Sequence, residues 1–157
     1  MQRPTSIVLT STTPSRTAAP RARILVVDDD QILCGLNAGL LAMENFSVET
    51  APNGAAALER LRTSRFDLVL TDWNMPEMDG VGLVRAMRKA GYQIPVVMIS
   101  GAQGLDDRLP PDVEEQLSVA LPKPIRLREL VAAVEFALRR PPARPSSTPP
   151  QELFSQS

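Results

Sequence analysis

Histidine is absent from these 157 residues. The chain therefore has no imidazole to act as a base, a metal ligand or a phosphoryl carrier. Cysteine occurs once, at Cys34. An internal disulfide is excluded, a reducing compartment is the default, and a lone thiol of this kind reads as a core residue. No apolar run approaches the roughly 20 residues that a membrane span needs. The apolar patch Ile7 to Leu9 is followed at once by polar residues, which makes a poor export signal. Charge of one sign is also lacking: the formal net charge is −1, so no overall field draws the chain to nucleic acid or to an anionic membrane.

Proline is plentiful, at 15 residues, but it clusters. Residues 1–22 hold Pro4, Pro14 and Pro20 among Ser, Thr and Arg, and residues 141–157 hold Pro141, Pro142, Pro145, Pro149 and Pro150. Such stretches cannot bury enough apolar surface to offset the entropy of ordering, so both read as disordered tails around a folded unit at 23–140.

Inside that unit short apolar runs alternate with helical patterns. Ile24 to Val27 is a continuous aliphatic run ending in Asp28, as expected of a strand buried on both faces. Ile32, Leu33, Leu36, Leu40 and Met43 recur at helical spacing and predict an apolar helix stripe. Phe46 to Ala51 alternates like a strand, and Asn53-Gly54 opens a helix carrying Ala57, Leu58 and Leu61. Leu68 to Leu70 forms a second buried strand that ends at Thr71-Asp72. Val81, Val84 and Met87 mark a helix after Asp79-Gly80. Ile94 to Ile99 is the richest β-type run and ends at Ser100. A short strand near Ser118 to Leu121 follows, and Leu127, Leu130, Val131, Val134 and Leu138 form the stripe of a last helix. Regular alternation of this kind predicts a (βα)₅ α/β unit with a parallel sheet covered by helices on both faces.

In such folds ligands bind at the carboxyl ends of the strands. The residues expected there are Asp28, Asp29 and Asp30, then Asp72, Ser100 and Lys123. Several ionised carboxylates do not crowd together without a counter-charge. A hard divalent cation supplies one, and Mg²⁺ favours one or two carboxylates plus waters and phosphate oxygens. Asp29 and Asp72 are the expected direct ligands, with Asp28 holding a metal-bound water; Asp30 reads as a helix cap. An ionised carboxylate can attack phosphorus. Lys123 and the Ser100 hydroxyl would then hold the other phosphoryl oxygens, in chemistry that is mostly positioning and charge stabilisation.

Four stretches together resemble the receiver domain of two-component response regulators, including the single-domain chemotaxis type. They are Ile24 to Asp30, Asp72-Trp73-Asn74-Met75-Pro76-Glu77-Met78-Asp79-Gly80, Met98-Ile99-Ser100-Gly101, and Lys123-Pro124. The resemblance implies a flavodoxin-like doubly wound fold with a five-stranded parallel sheet of order 2-1-3-4-5. It implies Asp72 as phosphoacceptor, Asp28 and Asp29 as the acidic pair, Ser100 as switch hydroxyl, and Lys123 as the family's lysine. It adds the backbone carbonyl of Asn74 as a metal ligand and a cis peptide before Pro124, which proline alone makes inexpensive. The cofactor implied is Mg²⁺, and the donor a histidine kinase or phosphotransfer protein in the cytoplasm.

The chain departs from that pattern in two places. Receivers usually carry an aromatic residue three positions before the lysine, and here that position is Ala120. The fourth helix is irregular, because Gly104 to Leu109 runs into Pro110-Pro111, and a proline inside a helix costs about 3 kcal/mol. Pro111 suits the first turn of a short helix over 112–117 instead. Pro122 requires the last strand to be a sheet edge.

The expected role is a phosphorylation-controlled signalling module, not an enzyme beyond its own phosphoryl transfer and slow dephosphorylation. Residues 141–157 are too few for a DNA-binding domain, so the expected output is an unidentified protein partner, with no nucleic acid or membrane partner. One alternative is a phosphorylation-independent adaptor with a receiver fold. Another, an Asp28/Asp30 phosphatase of the haloacid-dehalogenase type, would leave the Asp72 loop unexplained.

Overall fold

The computed structural model describes residues 19–101 and 109–139. Apart from residues 19–22, the two expected tails lie outside the described residues, as does Gly104 to Arg108 ahead of the proline pair. Five βα units follow one another: β1 (Arg23–Val27), α1 (Gln31–Met43), β2 (Ser47–Ala51), α2 (Gly54–Thr63), β3 (Leu68–Asp72), α3 (Gly80–Lys89), β4 (Val96–Ser100), α4 (Pro111–Glu114), β5 (Val119–Pro122) and α5 (Leu127–Arg139). The strands form one parallel sheet in the order β2-β1-β3-β4-β5, as the resemblance implied.

The aliphatic runs earn their place by filling two cores. Successive strand residues point to opposite faces. Ile24, Val26, Leu68, Leu70, Val97 and Ile99 join one cluster with α1 and α5, while Leu25, Val27, Val69, Val96 and Met98 join the other with α2 and α3. Each of the first three helices starts on a side chain that accepts backbone N–H bonds: Asp30 from Ile32 and Leu33, Asn53 from Ala56, and Asp79 from Gly82. Such caps satisfy donors that a helix start leaves free, each contributing about 1 kcal/mol.

Ordered contacts begin ahead of residue 23. The Arg21 amide donates to the Asn45 carbonyl at 2.9 Å, the Ser47 amide to the Ala22 carbonyl at 2.9 Å, and the Arg21 guanidinium lies 4.6 Å from the centre of the Phe46 ring.

The stripe predicted for α1 faces the wrong way. Cys34 and Leu41 are its buried residues, whereas Ile32, Leu36 and Met43 are 83%, 55% and 82% exposed. The sheet selects the face. Cys34 lies under the helix with its Sγ 3.7 Å from the Val26 carbonyl, and Leu41 packs into the same core cluster. Cys34 is thus the core thiol expected, and burial pushes its pKa up. In α5 the buried face is Leu130, Ala133, Val134 and Ala137, with Leu127 turned outward.

The fourth helix is a single turn with Pro111 in its first position, and turn bonds carry on to Leu117. Val113 is fully buried in the core. Arg85 of α3 clasps the Asp112 carboxylate at 2.9 and 3.0 Å, and Arg88 donates to the carbonyls of Tyr92, Ile94 and Gln116. Pro122 ends β5, which is the sheet edge its missing N–H requires. Among the described residues no helix is long and apolar enough to cross a membrane.

Candidate functional site

Strand order brings distant residues to one rim. β1 ends immediately before Asp28, and its neighbour β3 ends on Asp72. On the far side β4 ends on Ser100, whose carbonyl accepts the Lys123 amide at 2.8 Å. That bond continues the β4–β5 pairing past Pro122 and fixes where the lysine leaves the sheet.

The carboxylates of Asp28, Asp29 and Asp72 converge, with one oxygen from each lying within 4.8 Å of the others. Asp28 is 4% exposed and Asp72 5%, while Asp29 faces solvent. Burial pushes the Asp28 carboxyl up to about 6; the Asp72 and Asp29 charges add to the rise, and the Asp30 amide and Lys123 oppose it. The Lys123 ammonium is 3.2 Å from Asp72 Oδ1. That oxygen is buried and, despite the nearby ammonium, accepts no hydrogen bond.

A buried carboxylate oxygen left without a donor is costly unless something else is meant to meet it. The set fits a hard divalent cation, since it offers oxygen ligands from Asp28, Asp29 and Asp72, with an exposed member that leaves room for water. Asn74 is exposed two residues past Asp72, and Ser100 is half-buried at its strand end. Ala120 is exposed on β5 beside Met98, so the position of the family's aromatic residue holds only a methyl group. The Lys123–Pro124 peptide is cis. Asp30 caps α1 at 3.0 and 3.1 Å and takes no part in the acidic cluster.

Two residues at the site escaped the sequence reading. Thr71 is fully buried, and its hydroxyl donates to the Asp72 carbonyl at 3.0 Å. A threonine inside an otherwise aliphatic run was the available signal. Gly80 is buried against the acceptor strand, and the Asp79-Gly80 pair marked a helix start without marking that contact.

A five-stranded parallel sheet in this order, with an acidic cluster, a hydroxyl and a lysine at its carboxyl rim, defines a receiver-type α/β module. The sequence profile described as "Response regulator receiver domain" matches residues 24–135, and the chain belongs to that family. It is 40% identical over 133 residues to the transcriptional regulatory protein PrrA of Mycobacterium leprae, covering 84% of this chain and 56% of PrrA. It is 40% identical over 119 residues to the transcriptional regulatory protein CpxR homolog of Haemophilus influenzae, covering 76% of this chain and 51% of that protein. The chain thus spans about half the length of these curated relatives. Among solved structures, a response regulator receiver domain protein from Clostridium thermocellum superposes with a TM-score of 0.69 at 27% identity, over 76% of this chain and 95% of that one.

Proposed function

We propose that this chain accepts a phosphoryl group on Asp72 from a histidine kinase or a histidine-containing phosphotransfer protein. The observation that carries the reading is the state of Asp72: a buried carboxylate with one oxygen lacking a hydrogen bond, beside a lysine and two further acids. Asp29, Asp72 and the Asn74 carbonyl would hold Mg²⁺, with Asp28 acting through a bound water, and the ion would neutralise charge on the transferring group. An Asp72 carboxylate oxygen attacks phosphorus. The new P–O bond forms as the P–N bond to the donor imidazole breaks, and the imidazole leaves with the electron pair. Lys123 pairs with a phosphoryl oxygen, and the Ser100 hydroxyl donates to another. The chain turns over no external substrate in this reading and signals through protein contacts. A cytoplasmic setting belongs to the same reading, supported by the free, buried Cys34.

Incubation with acetyl phosphate and Mg²⁺ is expected to add one phosphoryl group per chain, mapped to the Asp72 peptide and prevented when a chelator is present from the start. Label that ignores chelation, or that sits elsewhere, overturns the reading.

The donor must come over the rim where α1 begins, and the outward apolar face of α1 starts there with Ile32. Burying such a side chain is worth about 1.5–3 kcal/mol, roughly a tenfold to hundredfold change in affinity. Ile32→Asp is therefore expected to slow transfer from the cognate phosphohistidine protein by about tenfold or more. Labelling by acetyl phosphate, which needs no docking, should stay at the wild-type rate. Equal slowing with both donors would count against this face.

Exposed Ala120 and the one-turn α4 favour a second reading, an adaptor indifferent to phosphorylation. Partner affinity measured with and without beryllofluoride separates the two, and only the adaptor predicts no change.

A further inference from the structure

Gly80 is the first residue of α3, and its amide donates to the Trp73 carbonyl at 2.8 Å. Its backbone is not in the left-handed region, so conformational freedom is not the reason for a glycine here. Space is. A Cβ on Gly80 would lie 2.5 Å from the Asp72 carbonyl oxygen, 3.0 Å from Trp73 Cα and 3.1 Å from Met98 Cε. Two of those three neighbours are backbone, and they belong to the acceptor residue and the one after it.

That backbone has little freedom to retreat. The Trp73 amide donates to the Ile99 carbonyl at 2.8 Å, and the Thr71 hydroxyl already occupies the Asp72 carbonyl at 3.0 Å. The acceptor peptide is thus held by the β3–β4 ladder on one side and by the start of α3 on the other. Other glycines nearby differ. A Cβ on Gly82 would meet only the side chains of Met78 and Asp79, at 3.2 and 3.3 Å, and one on Gly54 would meet only the flexible Met78 side chain.

We propose that Gly80 is a positioning residue for phosphoryl acceptance. Its missing side chain lets α3 seat against the Asp72 peptide, and that seat sets where the Asp72 carboxylate lies relative to Asp28, Asp29 and Lys123. The inference rests on Asp72 being the acceptor. Any side chain at position 80 must push the two apart by roughly an ångström, and a misplacement of that size costs about a hundredfold in rate.

The test compares Gly80→Ala with Gly82→Ala in the full chain, using acetyl phosphate at saturating Mg²⁺. Trp73 is the only tryptophan and adjoins Asp72, so its fluorescence reports Mg²⁺ binding at the site. Gly80→Ala is expected to fold, to label about 10- to 100-fold more slowly, and to show altered Trp73 emission and weaker Mg²⁺ binding. Gly82→Ala should match wild type in all three. Wild-type labelling by Gly80→Ala overturns the proposal. So does recovery of the rate in Gly80→Ala/Met98→Leu, which would assign the clash to Met98 and not to the acceptor peptide. The Gly80→Ala change is also made together with Gly35→Ala and Gly39→Ala, helix positions with nothing within 4 Å of a Cβ, as a stabilising background. Failure to fold in both backgrounds overturns the positioning role in favour of a purely structural one. Undiminished label on Asp72→Asn would sink the acceptor reading itself, whereas wild-type labelling of Gly80→Ala alone sinks only this inference.

Discussion

Asp72→Asn is expected to take up no phosphoryl label from acetyl phosphate or from a phosphohistidine protein. The substitution keeps size and planarity and removes the anionic oxygen that attacks phosphorus. It also removes the partner of the Lys123 ammonium, now 3.2 Å from Oδ1, and one of the charges that raise the Asp28 pKa. The site should therefore keep its shape and lose its nucleophile. Phosphate incorporation followed by intact mass measures this directly. Label on the variant at the wild-type level would move the acceptor to another residue. Lys123→Met, made in parallel, should leave Asp72 chemically intact and still slow labelling by roughly 10- to 1000-fold, because the ammonium beside Asp72 would stabilise charge on the transferring group.

Asp28→Asn should stabilise the metal-free protein and cripple its response to Mg²⁺. The Asp28 carboxyl ionises at about 6 in the folded chain, against an ordinary value of 3.8. Between those values the folded state binds more protons than the unfolded state, so stability falls as pH rises. The contribution of Asp28 to the metal-free fold is thus most favourable below about pH 4, falls progressively up to about pH 6, and stays at the lower level above it. Each unit is worth about 1.4 kcal/mol, so the loss is on the order of 2–3 kcal/mol. An asparagine has no such cost. Its side-chain oxygen can still accept the Asp30 amide bond that Asp28 accepts at 2.9 Å. Urea melts in the presence of a chelator, at pH 4.5 and pH 7.5, should show a pH-dependent loss in wild type and a flatter profile in the variant. Added Mg²⁺ should raise the stability of wild type at pH 7.5 and leave Asp28→Asn nearly unchanged. A variant less stable than wild type at pH 7.5 without metal would show that the Asp28 charge is not a burden on the fold.

Burial makes an ionised Asp28 costly to the fold, and a bound cation would offset that cost. Asp28 and Asp72 are almost fully buried, and nothing in the aliphatic strands requires acids there.

How far the sequence could be read follows from the range of each interaction. Strands, helix starts and the strand-end residues were legible because they depend on neighbours a few positions away: continuous aliphatic runs for β1 and β3, and Asp30, Asn53 and Asp79 for the caps. A short helix begun by Pro111 was legible for the same reason, though it was expected over 112–117 and covers Pro111–Glu114. The α1 stripe was misread because periodicity shows that a helix has an apolar face without showing which face the sheet accepts. There the face carrying Cys34 and Leu41 packs inward, and Ile32, Leu36 and Met43 stay outside.

The sequence by itself determined the chemistry available to this protein: carboxylates after the first and third strands, a hydroxyl after the fourth, a lysine after the fifth, and no histidine. Only the tertiary structure decided the distances. Strand order set β1 beside β3, and β4 beside β5, so that Asp28, Asp29 and Asp72 fall within 4.8 Å and Lys123 reaches Asp72. It also placed Gly80 against the acceptor peptide. Those contacts join residues far apart in the chain, and their geometry is fixed by sheet pairing and close packing, which no local pattern encodes.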